Sequence, residues 1–230
     1  MWCYQMYTTM TSQTRDYNIS WEQFNDAIEK FIDKSELFNL NWSIKNVETQ
    51  PDVKYLSKRE NISMKINNQT KTERIEDELE EDYKNILTDD GVYLGATGEI
   101  PDSVTFEYHV VYSYSYNVPV LYFSAWKQDG KLLSLENIWE NVPLVHRDFL
   151  KYDKWSFITQ QEHPILGRPY FLVHPCHTAN LIMQLLMNVP DSKRDNLSYL
   201  TTWLTAVGPT VGLQLPLEFV IADYPSSIYK

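Results

Sequence analysis

Two neighbouring runs constrain this chain more than anything else in it. Val104, Phe106, Tyr108, Val110 and Tyr112 recur at every second position. A period of two is that of a β-strand and is incompatible with a helical face. After five further residues, Val118–Trp126 is rich in branched and aromatic side chains, which suit a pleated, buried surface. The pair predicts an antiparallel hairpin of a β-sheet, Val104–Tyr112 against Val118–Trp126.

Such a sheet needs helices to cover its apolar face. Ser20 followed by Gln23 has the form of a capping box. Trp21, Phe24, Ile28, Phe31 and Ile32 then recur at helical spacing, predicting an amphipathic helix over Ser20–Phe38. Trp42–Val47 alternates and reads as a strand, and Val53–Ile66 reads as another, interrupted by Lys58, Arg59 and Glu60. Asp129–Gly130 is a tight-turn pair, after which Lys131–Leu133 continues the sheet. Ser134–Glu140 reads as a short helix and Tyr170–Val173 as a short apolar strand. Helical spacing returns in Asn180–Asn188 and in Asn196–Val207, the latter stopped by Gly208–Pro209. The order predicts an α+β fold, mainly an antiparallel sheet with an N-terminal helix and C-terminal helices packed on it.

At roughly 100–200 residues per domain, 230 residues are expected to form a single domain, 1–230. Within it, Lys71–Asp90 departs in composition. Nine acids against three bases give it −6, over half of the chain's −11, so it reads as an acidic surface insertion at about 71–90. An acidic chain is repelled by phosphate backbones and anionic lipid, which disfavours nucleic acid as a partner. None of the seven glycines forms a phosphate-cradling loop. The longest apolar stretch, near Val118–Trp126, is far short of the ~20 residues that span a bilayer, so no stable membrane insertion is expected. The N-terminus reads as lacking a secretory signal, and a cytoplasmic location follows. On that ground the sequons at Asn18, Asn41, Asn61, Asn68 and Asn196 read as chance occurrences.

Cys3 and Cys176 allow at most one disulfide. Cys176 stands in His174-Pro175-Cys176-His177, after a strand and before a helical pattern. A thiol there feels the positive end of a helix dipole, which favours the thiolate. Four readings are open for it. It could be an inert buried cysteine. It could ligate zinc with His174 and His177, although immediate neighbours converge poorly on one tetrahedral ion. It could be a hydrolase nucleophile with His109, His146 or His163 as base. It could carry an acyl group as a thioester for transfer to an amine.

The run Phe106–Phe123, with Asp129-Gly130, Ile138-Trp139-Glu140, Ile158–Gly167, His174-Pro175-Cys176, Trp203-Leu204, Val207-Gly208-Pro209 and Gly212-Leu213, resembles the family of autophagy-related protein ten. The resemblance is dense over Val104–Leu217 and reduces to a pattern of elements before it. It implies a ubiquitin-conjugating-enzyme-like fold and a ubiquitin-like-protein conjugating enzyme, with Cys176 as carrier. It further implies autophagy-related protein seven as activating enzyme, twelve as modifier and five as the acceptor whose lysine is conjugated. No cofactor and no metal are implied.

Ordinary ubiquitin-conjugating enzymes place His-Pro-Asn some residues before the cysteine, and the asparagine amide steadies the oxyanion. Here the cysteine itself follows His174-Pro175, so an amide donor must come from elsewhere. Gln160, Gln161 and Asn117 are the candidates, each of which also suits a turn or surface amide. Tyr116, Glu162 or His174 could take the proton of the attacking lysine or shape its surroundings. Tyr116 also suits a loop or core aromatic, and His174 could equally orient the cysteine loop. His177, one residue past the thiol, is expected to face solvent. The alternatives are the sibling enzyme that passes autophagy-related protein eight to a lipid, and a noncatalytic adaptor of the same fold. Glu80-Glu81-Asp82-Tyr83-Lys84-Asn85-Ile86 resembles the short acidic motif by which partners bind autophagy-related protein eight, although a pattern this short arises by chance and a solvated acidic helix or loop is the simpler reading.

Overall fold

Ser20 begins the first helix as its sequence requires. Its hydroxyl accepts the Gln23 amide at 3.2 Å while Gln23 Oε1 accepts the Ser20 amide at 2.8 Å. Such a cap contributes about 1 kcal/mol. The helix, α1, spans Trp21–Leu37 and buries Phe24, Ala27, Ile28, Phe31 and Ser35 along one face. The computed structural model describes residues 18–47, 50–64, 66, 102–143, 157–175, 185 and 195–221. The acidic insertion at 71–90, the pattern at Asn180–Asn188, and Cys3, His146, Cys176 and His177 lie outside the described residues.

Six strands follow: β1 Trp42–Val47, β2 Gln50–Met64, β3 Asp102–Ser113, β4 Val118–Lys127, β5 Ile158–Glu162 and β6 Pro169–Val173. They form one antiparallel sheet in the order β1-β2-β3-β4-β6-β5. The central hairpin is the predicted one, paired from Val104↔Lys127 to Ser113↔Val118. Between β4 and β5 lies the short helix α2, Leu135–Glu140, capped by Ser134. Helix α3, Asn196–Val207, and the short α4, Leu217–Ile221, close the described chain.

The helices cover one face of the sheet. Val104, Phe106, Tyr108, Val110 and Tyr112 of β3 all point into this core, with Leu121, Phe123 and Ala125 of β4 beside them. Helix α3 adds Leu200, Trp203, Leu204 and Val207, and Phe219 of α4 meets Phe31 and Phe38 edge-on. Each fully buried large side chain stabilises the fold by about 1.5–3 kcal/mol. Tyr108 reaches through the core to donate its hydroxyl to the Val211 carbonyl at 2.8 Å. Burial pushes ionisation of that phenol far above its ordinary range. No helix among the described residues is long and apolar enough to cross a membrane.

The structure differs from the sequence reading at four places. β2 runs unbroken through Lys58, Arg59 and Glu60, because Lys58 pairs with Glu60 at 2.6 Å and Arg59 with Glu107 at 2.8 Å. Lys131–Leu133 contributes a single bridge, Trp126↔Leu132, and no further strand. Gly208–Pro209 ends the α-helix, but the chain tightens into a 3-10 turn over Gly208–Val211 and stops at Gly212, φ 80°. β5 carries too few apolar residues in period to be seen in the sequence, and α4, at five residues, is too short to show a helical period.

Candidate active site

Strand β6 delivers His174 to one end of the sheet. Phe171 and Val173 face the helices, so the alternation turns His174 away from that core. The His174 amide donates to the Phe157 carbonyl at 2.9 Å, tying the strand end to the start of β5. Pro175 is buried and His174 half-buried. Cys176 is the next residue in the sequence.

The turn of the central hairpin arrives at the same place. Tyr114–Asn117 joins β3 to β4, and the Tyr116 ring meets the His174 ring nearly edge-on, centroids 5.9 Å apart at 75°. Tyr116 is half exposed and Tyr114 more so. Trp21 of α1 packs on Tyr112 and Tyr114, both at 5.6 Å, giving the hairpin tip an aromatic floor. Two residues singled out for the chemistry, Tyr116 and His174, are thus brought into contact from strands distant in sequence.

Asn117 is committed elsewhere. It holds φ at 52°, a backbone region in which asparagine is tolerated. Its amide donates to Ser113 O at 2.8 Å, its carbonyl accepts from Ile19 N at 2.9 Å, and its side-chain oxygen accepts from the Tyr112 hydroxyl at 3.2 Å. The residue shapes the turn and leaves little freedom to reorient its amide.

Gln161 pairs with Tyr170 and Gln160 with Phe171, both on exposed positions of β5. At about 3.3 Å per residue, the Gln161 pair lies roughly 13 Å from His174 along the strand. Glu162, paired with Pro169, is further still. The structure does not bring Gln161 or Glu162 to the His174 end of the hairpin.

His109 and His163 were candidate bases for a hydrolase. They face each other instead, His109 Nδ1 to His163 Nε2 at 3.2 Å, and both are buried. Burial pushes His109 down to about 4 and His163 down to about 3. Imidazoles of that basicity, with their nitrogens already engaged, are poor general bases near neutrality.

The described residues thus form an α+β domain that ends a sheet strand on His-Pro, against the turn of its central hairpin. The chain belongs to the family described as autophagocytosis associated protein, active-site domain, whose model matches residues 23–218. The chain is 34% identical over 222 residues to the ubiquitin-like-conjugating enzyme ATG10 of Arabidopsis thaliana, covering 90% of this chain and 97% of that protein. It is 47% identical over 126 residues to the ubiquitin-like-conjugating enzyme ATG10 of Homo sapiens, covering 55% of this chain. The chain spans 57% of the length of that human relative. A crystal structure of autophagic E2, Atg10, superposes with a TM-score of 0.46 at 16% identity, over 85% of this chain and 98% of that one.

Proposed function

We propose that this chain is a cytoplasmic conjugating enzyme that carries autophagy-related protein twelve on Cys176 and transfers it to a lysine of autophagy-related protein five. The observation that carries the reading is the meeting of His174 and Tyr116 one residue short of Pro175-Cys176, in a chain of this family. In the first step the Cys176 thiolate attacks the C-terminal carbonyl of the modifier held as a thioester on autophagy-related protein seven. A carbon–sulfur bond forms to Cys176 and the activating enzyme's thiolate leaves. In the second step the acceptor amine attacks the new thioester, a carbon–nitrogen bond forms, and the Cys176 thiolate leaves.

The attacking lysine must first shed a proton, from an ordinary pKa near ~10.4. His174 and Tyr116 stand at the strand end and the turn where that proton would be received. Their edge-on contact sets the two rings side by side, where together they can shape the approach of the amine. Of the three amides that the sequence offers for the tetrahedral oxyanion, Gln160 and Gln161 stand on β5 away from the hairpin turn, and Asn117, beside Tyr116, is engaged in shaping that turn.

Transfer to a lipid amine is the weaker reading. The solvent side of α1 presents Glu22, Glu29, Asp33 and Glu36, with Lys30 drawn onto Asp26 at 2.7 Å and Lys54 onto Glu29 at 2.7 Å. An anionic membrane would repel such a face. Autophagy-related protein eight remains a candidate partner through Tyr83 and Ile86, in the acidic insertion.

The deciding experiment incubates the chain with activating enzyme, ATP and each ubiquitin-like modifier. A band sensitive to reducing agent with protein twelve supports the reading. A band with protein eight alone would move the chain to the lipid-directed branch, and no band with any modifier would leave the adaptor.

A further inference from the structure

The sheet face opposite the helices holds a buried polar cluster that the proposed transfer does not use. The period of two puts Tyr55 and Arg59 of β2, Glu107 and His109 of β3, Tyr122 of β4 and Tyr170 of β6 on this face. His163, the residue after β5, is completely buried among them. Its ring centroid lies 5.1 Å from His109, 4.9 Å from Tyr122, 4.9 Å from Tyr170 and 5.8 Å from Tyr55.

The hydrogen bonds assign the protons. His163 Nδ1 accepts from the amides of Ile165 and Leu166, each at 3.2 Å, so that nitrogen carries no proton. The proton of neutral His163 is therefore on Nε2, which donates to His109 Nδ1 at 3.2 Å. His109 in turn keeps its proton on Nε2, 4.0 Å from Glu107 Oε2. Glu107 accepts from Arg59 at 2.8 Å and from the Tyr170 hydroxyl at 2.9 Å, while Arg168 donates to Tyr170 at 2.8 Å. The main chain of His163 also closes the turn, donating to Arg168 O at 2.8 Å and accepting from Gly167 N at 2.9 Å.

This directed chain ties the β5–β6 turn to the middle of β3. The tie matters because β6 is held to β4 over a short stretch, Leu121↔Val173, Tyr122↔Leu172 and Phe123↔Phe171. A strand so briefly paired is weakly registered by its main chain, and a slip of one residue turns every side chain to the opposite face. On β6 that slip would turn His174 into the core. We propose that His163 and His109 are positioning residues, whose buried bond locks the β5–β6 hairpin in register and so aims His174-Pro175 at Tyr116. The inference rests on the conjugating-enzyme reading for its consequence in catalysis, and on the geometry alone for the lock.

The lock is neutral. Burial lowers both imidazoles; Glu107 opposes this at each, while Arg168, Lys45 and Arg59 add to it at His109, and His109 and Arg168 add to it at His163. The surrounding phenols stay protonated, since burial raises Tyr55 and Tyr122 and pushes Tyr170 up to about 12. An unfolded histidine takes a proton near 6.5, and the folded pair resists until about 4 and about 3. Stability from the pair is therefore complete above pH 6.5 and is lost as the pH falls from there toward about 3.

Three variants of the full chain test the lock. His109→Leu removes the acceptor, and His109→Asn restores one close to the position of Nδ1. His163→Asn keeps an acceptor for the two loop amides but cuts the link to β3. Side-chain nitrogen NMR should show bare His163 Nδ1 from pH 8 to 5 in the wild type. His109→Leu should shift the His174 amide resonance and lower the transfer kcat about tenfold, with KM for the acceptor unchanged. His163→Asn should do the same while Ile165 and Leu166 amides stay protected from exchange. His109→Asn should return both the resonance and kcat toward wild type.

The proposal is overturned if folded His109→Leu keeps the wild-type His174 resonance. It is equally overturned if Leu and Asn at 109 lower Tm alike and leave kcat intact. Should the wild-type chain fail to charge, the conjugating reading falls, and the resonance and exchange measurements still decide the lock.

Discussion

The two hairpins that meet at His174 are held by different forces. β3 and β4 pair without interruption from Val104↔Lys127 to Ser113↔Val118, flanked by β2 along much of the other edge of β3. Their register is set by main-chain bonds and by an apolar face buried under α1 and α3. β5 and β6 are short, and β6 touches β4 over Phe171–Val173. Their register leans on side chains: Phe171 and Val173 in the core, His163 on His109, and Tyr170 on Glu107. The long hairpin is thus a stability element and the short one a positioning element. Damage to the first should unfold the protein, and damage to the second should leave a folded protein with a misplaced site.

Substitutions can break that division or sharpen it. The largest effect is expected just past the short hairpin in sequence: Cys176→Ala should abolish thioester formation with little change in Tm, while Cys3→Ala leaves it intact. A reducible band formed by the Cys176→Ala protein would show that the site is elsewhere. Next comes the long hairpin: Phe123→Ala, in a completely buried position against Phe106, Tyr108 and Phe171, should cost about 3–5 kcal/mol in denaturant unfolding. A loss below ~1 kcal/mol there would contradict the assignment of stability to β3–β4.

The hairpin tip should behave unlike its stem. Tyr114 is 63% exposed, so Tyr114→Ala should barely move Tm. It should slow transfer to the acceptor more than charging, because exposed aromatics beside a site serve well as anchors for a partner. Equal loss of both steps, with a lower Tm, would reduce Tyr114 to a packing residue over Trp21. The smallest effect on the catalytic unit is expected from the insertion. The double variant Tyr83→Ala, Ile86→Ala should charge normally and lose saturable binding of autophagy-related protein eight, measured by titration of the full chain. Absence of such binding in the wild type would leave a solvated acidic segment.

Legibility followed periodicity. Val104 to Tyr112 announced β3 because a half-buried strand repeats every second residue. Ser20, Gln23 and the apolar spacing behind them announced α1 to within a residue. Lys58-Arg59-Glu60 misled, since charges inside a strand look like a break until their partners, one of them Glu107 on another strand, are known. β5 was illegible because Ile158-Thr159-Gln160-Gln161-Glu162 holds one buried apolar residue, Ile158. At the site, His174 and Tyr116 could be named from the sequence, but their contact could not, because the ring pair spans two hairpins. Asn117 was legible as a turn residue and Gln161 only as an amide, with nothing to say which end of β5 it occupied.

Local physics therefore settled several elements of this protein from its sequence: the period of β3 and the capping and apolar face of α1. His109 and His163 show what such rules do not reach. Each is, by type, as suited to catalysis as to packing. Their pairing, tautomers and neutrality arise from burial between Glu107 and the amides of Ile165 and Leu166. Those neighbours come together only when β3 and the β5–β6 turn have packed, since proton positions and basicity depend on the surrounding dielectric and donors rather than on adjacency in the chain.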